Sequence, residues 1–279
     1  MDITEKQLQI LENLSEFKFL TSNQLMRLMG YKENSHINSM LKRMRERRRP
    51  LIKRKEFGFY PGAGRLAPVH FLTRYGADFL VDYLGFDANK IKVPKEHYPL
   101  FVRDYFHRKS TIDFNISLKL FCNEHNFEKK FFNYYFEQVG SQRNRTARFI
   151  NSLKIREDLT IIPDGIGKIA TNEDNLFLFE QHNGSDTKRA VNQIINHISA
   201  IEIGVVSEIF NYPRGVRVIY VFEKESCKIS VIKELYKIDR IRNFIPYFLF
   251  KSQGELNDKF NERWTLFNGL KTNLFKMNK

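Results

Sequence analysis

Nowhere in the 279 residues is there a run of roughly 20 apolar side chains, so the sequence offers no helix able to cross a bilayer. Cysteine is scarce: Cys122 and Cys227 are the only two, and they are not spaced as a CxxC pair. That excludes a disulfide scaffold and a cysteine-rich zinc site, and both are expected to be reduced core residues. The opening segment, MDITEKQLQI, lacks the basic and apolar parts of a signal peptide. A cytoplasmic protein without membrane insertion is expected. Acidic residues are also few, 32 against 46 Lys and Arg, leaving a net charge of +14 and a pI near 9.6. Such a field attracts polyanions, whether nucleic acid, acidic membrane or acidic protein, and composition does not choose among them.

Large aromatics are abundant, with 26 Phe and 12 Tyr, enough to fill dense cores or to stack on exposed bases. Core filling is the simpler use. The length suits two domains, since single domains run to ~100–200 residues. Charge is concentrated: Leu41–Glu56 holds nine Lys and Arg against Glu46 and Glu56, half of the net total.

Thr4 and Gln7 stand at capping-box spacing ahead of Ile10, Leu11, Leu14 and Phe17, which predicts a first helix. Thr21 and Gln24 repeat the signal before Leu25, Leu28 and Met29, and Gly30 supplies a left-handed stop. A third helix starting near Asn34 or Ser35 puts Ile37, Met40, Leu41 and Met44 on one stripe. Its other face carries Ser35, Asn38, Ser39, Lys42 and Arg43. Small polar groups there allow close approach to base edges while the cations reach phosphates, although an ordinary solvated face has the same composition. The β-prone runs at Leu51–Lys55 and Val69–Thr73, separated by Gly58, Pro61, Gly62, Gly64 and Pro68, then read as a hairpin with a long loop. Three helices and a hairpin make a winged helix-turn-helix over residues 1–84, closed by a fourth helix with Ala77, Leu80, Val81 and Leu84 buried. Arg47, Lys53, Arg54, Lys55 and Arg65 add candidate contacts to double-stranded DNA. DNA binding of this kind requires no cofactor.

Residues 85–99, with Pro94 and Pro99, read as a linker to an α/β domain with a central mixed sheet over 100–250, followed by a basic segment over 251–279. A helix from about Val102 turns Ile112, Ile116 and Leu120 inward, with Phe106 and Cys122 as further core candidates. His107 lies at its start and reads as a buried, hydrogen-bonded histidine. Arg143 and Arg145, with Arg148, form a second candidate phosphate contact or simply a solvated basic loop. Leu159–Asp164 and Asn175–Glu180 are two β-prone runs that each end in an acid, which brings both carboxylates to one end of a sheet. Such a pair suits a hard divalent cation or serves as polar structure satisfied by neighbours. A helix over Thr187–Ile203 follows, and Gln193 and His197 stand one turn apart on it.

Pro163-Asp164, then Glu180-Gln181-His182 and a helix, resembles the core of restriction-endonuclease-like nucleases, whose motif is PD followed by (D/E)-x-K. The resemblance implies catalysis by Asp164, Glu180 and His182, with Asp164 and Glu180 holding Mg²⁺ or Mn²⁺; His182 stands where the motif has lysine. Over most of its length the chain resembles the replication-relaxation family of plasmid and conjugative-element proteins. The residues that carry this are the helical N-terminus, Phe71-Leu-Thr-Arg-Tyr-Gly-Ala-Asp-Phe-Leu80, His107, Pro163-Asp164 and Glu180-x-His-x-Gly-Ser185. That resemblance implies an accessory role in mobilisation or replication near an origin, without catalysis by this chain, and a relaxase or coupling protein as partner. A metal-dependent nuclease or nickase and a winged-helix transcriptional regulator are the alternatives, and a homodimer is compatible with each.

Overall fold

The computed structural model describes residues 3–94, 104–139, 148–256 and 259–277. It resolves the chain into two compact units, Met1–Arg108 and Lys109–Lys279, of mixed α and β structure. Among the described residues no helix is long and apolar enough to cross a membrane. Cys122 and Cys227 are both free and buried.

In the first unit, α1 (Glu5–Phe17) and α2 (Ser22–Met29) each begin with a reciprocal capping box, Thr4 with Gln7 and Thr21 with Gln24. Each box satisfies two backbone N–H groups that the first turn leaves orphaned. Gly30 ends α2 at φ 68°, a left-handed conformation that glycine adopts without steric cost. Helix α3 (Asn34–Arg45) lies beside α2 and buries Ile37, Leu41 and Met44, which like Ile10, Leu11, Leu14 and Leu25 are solvent-inaccessible. Met40 remains half-buried.

A three-stranded antiparallel sheet accompanies these helices, with β5 (Val69–Leu72) between β1 (Leu20–Thr21) and β2 (Ile52–Lys55). Beyond it the connecting loop forms its own two-stranded tip, β3 (Phe59–Tyr60) with β4 (Gly64–Arg65). Thr73 then caps α4 (Arg74–Leu84) and donates its hydroxyl to the Pro50 carbonyl at 2.7 Å. The helix start lies so close to β2 that a Cβ on Gly76 would sit 2.1 Å from the Leu51 carbonyl oxygen. Its buried residues are Gly76, Ala77, Phe79 and Leu80; Leu84, expected inside, is exposed at the end of the helix. The supposed linker is not free at its start, because Asp87 caps a short 3₁₀ turn and the Lys92 N–H donates to the Ser15 carbonyl. The division between units falls later, inside α5 (Tyr105–Glu124), whose first residue donates its phenol to the Ala67 carbonyl.

The second unit is built on a seven-stranded mixed sheet. Three strands, β6 (Glu128–Tyr134), β11 (Gly165–Ala170) and β12 (Asp174–His182), are antiparallel; β13 (Arg217–Phe222) and β14 (Phe248–Ser252) continue parallel to β12. Short strands β15 (Trp264–Thr265) and β16 (Lys271–Thr272) extend the other edge. Two small ladders, β7 (Gln138–Val139) with β8 (Arg148–Phe149) and β9 (Leu153–Lys154) with β10 (Thr160–Ile161), lie outside it.

The sheet is covered on both faces. Helices α6 (Thr187–Ile203) and α8 (Glu225–Tyr236) pack on the face bearing Leu176, Leu178, Val218 and Tyr220; the short helix α7 (Val205–Ile209) follows α6. Helix α5 lies on the other face, where Phe114 stacks on Phe179 at 4.0 Å between ring centres. Contrary to the sequence reading, Phe106 is exposed and Leu120 half-buried, while Phe114 and Phe121 do the packing.

Two expectations change here. Asp164 does not end a strand; it precedes β11, and the run before it forms only the two-residue β10. Gly165 and Gly167 are the reason β11 was missed, since they lack β-prone side chains yet leave room for the Phe132 and Phe177 rings, which an added Cβ would meet at 2.4 Å. Residues from 251 are not a separate basic segment either. Trp264, Leu274 and Phe275 are buried, and Lys251 is enclosed with its ammonium donating to the carbonyls of Lys259 and Glu262.

Candidate functional site

The first candidate surface is the outer side of α3. Because Ile37, Leu41 and Met44 fix the inward stripe, Ser35, Asn38, Ser39, Lys42 and Arg43 are all exposed on the remainder of the helix. Ser22, in the first turn of α2, donates to Asn38 Oδ1 at 2.8 Å, so the α2 and α3 N-terminal turns are joined by polar contacts. Nothing local in the sequence marks Ser22, because its partner lies on the next helix.

The remaining basic residues do not form one surface. Strand alternation puts Lys53 and Lys55 on the face of β2 opposite Arg54. Arg54 and Arg65 both pair with Glu56, the latter at 2.9 Å, and these two guanidinium groups hold the Glu56 carboxyl below its ordinary range. Arg47 is half-buried. Arg143 and Arg145 lie outside the described residues, and Arg148 is exposed at the start of β8.

On the Arg54 face, His70 is 2 % exposed with neither ring nitrogen hydrogen-bonded. Burial, then the charges of Arg45 and Arg54, pull its pKa down to about 3.

In the second unit, Asp164 and Glu180 come together. The pairing of Gly165 with Phe179 places them side by side on neighbouring strands, and Asp164 Oδ2 accepts from the Gln181 N–H at 2.8 Å. Glu180 faces α6, where His197 Nε2 lies 2.6 Å from its Oε1 and the Gln193 side chain also reaches it. Of the two, His197 is fully enclosed, edge-on to the Tyr220 ring. Burial, and next the Asp164 charge, drive the Glu180 carboxyl well above its usual range. Burial lowers His197 to about 4 and raises the Tyr220 phenol. Burial thus pushes both partners of the Glu180–His197 contact toward their uncharged forms.

His182 shares that face of β12 but packs its ring against Phe222, 5.5 Å away. His107 is half-buried rather than enclosed.

The expected metal role fits this arrangement poorly. A hard dication needs several ionised or carbonyl oxygens, whereas Glu180 is 2 % exposed, is pushed by burial toward its protonated form and already engages His197. Among the described residues no group of three or more His, Cys, Asp or Glu is placed to hold a metal ion. What the site can do is share a proton between buried side chains. Compared with known protein families, curated proteins and solved structures, the chain matches none.

Proposed function

We propose that this chain binds double-stranded DNA through a winged helix-turn-helix formed by α1–α3 and the β2–β5 hairpin, with α3 as the recognition helix. One observation carries the reading: Ser35, Asn38, Ser39, Lys42 and Arg43 of α3 are exposed together while Ile37, Leu41 and Met44 are fully buried. Phosphate neutralisation by Lys42 and Arg43 would position the helix, and Ser35, Asn38 and Ser39 would lie against base edges. The test is duplex binding across a salt series. Replacing Lys42 and Arg43 by Ala removes two phosphate contacts, which should reduce the slope of log affinity against log salt by about 2. An unchanged slope would remove α3 from the interface.

The role we assign is that of an accessory protein in plasmid or conjugative-element mobilisation or replication, bound near an origin and assisting a relaxase. Bending or loosening a duplex costs of order a few kcal/mol, which protein–phosphate contacts can offset, so the chain need perform no chemistry. An origin-nicking assay with the cognate relaxase, with and without this protein, decides it. Unchanged nicking would favour a transcriptional regulator.

A second reading has a specific observation behind it, the meeting of Asp164 and Glu180. The order α5, β6, β11, β12, α6, β13, with the carboxylates at the facing ends of β11 and β12, supports a restriction-endonuclease-like second unit. We take that site as one that does not cleave, given the burial that disfavours an ionised Glu180 and the histidine at position 182.

A further inference from the structure

The face of the β2–β5 sheet that carries Lys53, Lys55, Val69 and Phe71 floors a groove of about 1070 Å³ within the first unit. It is not the α3 surface, since Arg54 and His70 project from the other face of the same strands, toward Arg45 of α3. Its rim is cationic: Arg48, Arg49, Lys53, Lys55 and Arg74 line it, all exposed, and among the described residues no acidic one does. Only Arg74 has a carboxylate partner, Asp78, among the described residues. The floor is aromatic, with Phe71 edge-on to Phe19 at 5.8 Å, Phe57 alongside, and Tyr75 beneath the Arg49 guanidinium at 5.7 Å.

We infer that this groove is a second nucleic-acid site, one that takes a single strand. Five cations, four of them with no carboxylate partner among the described residues, select a polyanion, and half-buried rings interleaved with them select one that presents flat π faces. A duplex keeps its bases stacked inside, so a concave aromatic floor reaches bases only when the strand is open. The space slightly exceeds that of ordinary small-molecule pockets, about 300–1,000 Å³, and suits a short chain segment. Phe71 and Tyr75 stack on bases, Arg49 adds a planar guanidinium, and Lys53 and Lys55 neutralise phosphates. This inference goes beyond α3 and does not depend on it, so either can fail alone.

The experiment measures fluorescence anisotropy of a labelled oligothymidylate, its abasic counterpart and a duplex with the full-length chain. Lys53→Ala with Lys55→Ala, at exposed positions that leave the core intact, should weaken oligothymidylate binding about tenfold and duplex binding, to which the same hairpin contributes, by a clearly smaller factor. Lys42→Ala with Arg43→Ala should show the reverse preference. The abasic strand should bind at least about tenfold more weakly than oligothymidylate, and 4-thiothymidine should crosslink to the peptide holding Phe71 and Tyr75. Equal binding of abasic and natural strands, equal loss on duplex and single strand, or full displacement by polyglutamate would each overturn the assignment.

Discussion

Acid should loosen the N-terminal unit through one side chain. His70 is 2 % exposed and its pKa lies at about 3, against 6.5 for the imidazole of an unfolded chain. Between those values the unfolded chain binds a proton that the folded unit refuses, so the stability His70 permits is complete above pH 6.5 and is lost as pH falls toward 3. At pH 5 the linkage comes to about 2 kcal/mol, and it approaches about 5 kcal/mol below pH 3. Since total stability is commonly only about 5–15 kcal/mol, the first figure is already large. His70→Phe keeps a buried ring and removes the titration, so the variant should hold its stability between pH 7 and 5 where the parent weakens. Amide hydrogen exchange of β5, followed by mass spectrometry at both pH values, reports this unit directly. An NMR titration showing His70 protonated near pH 6, or equal acid sensitivity in the His70→Phe variant, would refute the reasoning.

Glu180 should act with the opposite sign. Its raised pKa means the fold keeps a proton that the unfolded chain releases as pH rises above about 4.5, so stability declines from there upward until Glu180 itself ionises. Glu180→Gln should therefore raise the melting temperature at pH 7.5 and change it little at pH 4; no gain at pH 7.5 would show the carboxyl to be ionised in the fold. Gly76→Ala drives a methyl into the Leu51 carbonyl and should destabilise the first unit by about 1–3 kcal/mol, read as lost protection in β5 and α4 by hydrogen exchange. Incubated with Mg²⁺ or Mn²⁺, the purified chain should leave supercoiled DNA intact; robust nicking abolished by both Asp164→Ala and Glu180→Ala would establish the nuclease reading instead.

Local signals in the sequence were the most legible. The capping boxes at Thr4 and Thr21, the Gly30 stop and the Thr187–Ile203 helix all depend on contacts within a few residues, and the structure contains each of them. What needed three dimensions was less visible. Gly165 and Gly167 gave β11 no β-prone signature because their part is to admit rings from neighbouring strands. Whether Trp264 and Phe275 dock on the core or face a partner was not legible, because the partners that bury them lie far away in sequence. The proximity of Asp164 to Glu180 followed from two acids near strand ends, whereas His197 was indistinguishable from a helix-surface polar residue until α6 was packed on the sheet. Within the basic segment, charge density could be counted, but the division of Lys53 and Lys55 from Arg54 required the strand register.

Glu56 changes how the positive charge of the β2–β5 hairpin should be counted. It sits between Arg54 and Arg65 as a tethered counterion, in place of mobile ions from solution. A polyanion approaching those two arginines must expel a carboxylate that cannot diffuse away, and no ion is released to the bulk when it does. Arg54 and Arg65 would then contribute less to the salt dependence of association than their formal charges suggest. Exchanging Glu56 for glutamine would convert two internally compensated cations into two that recruit soluble anions, making the hairpin more adhesive and less discriminating without altering any group that touches the ligand.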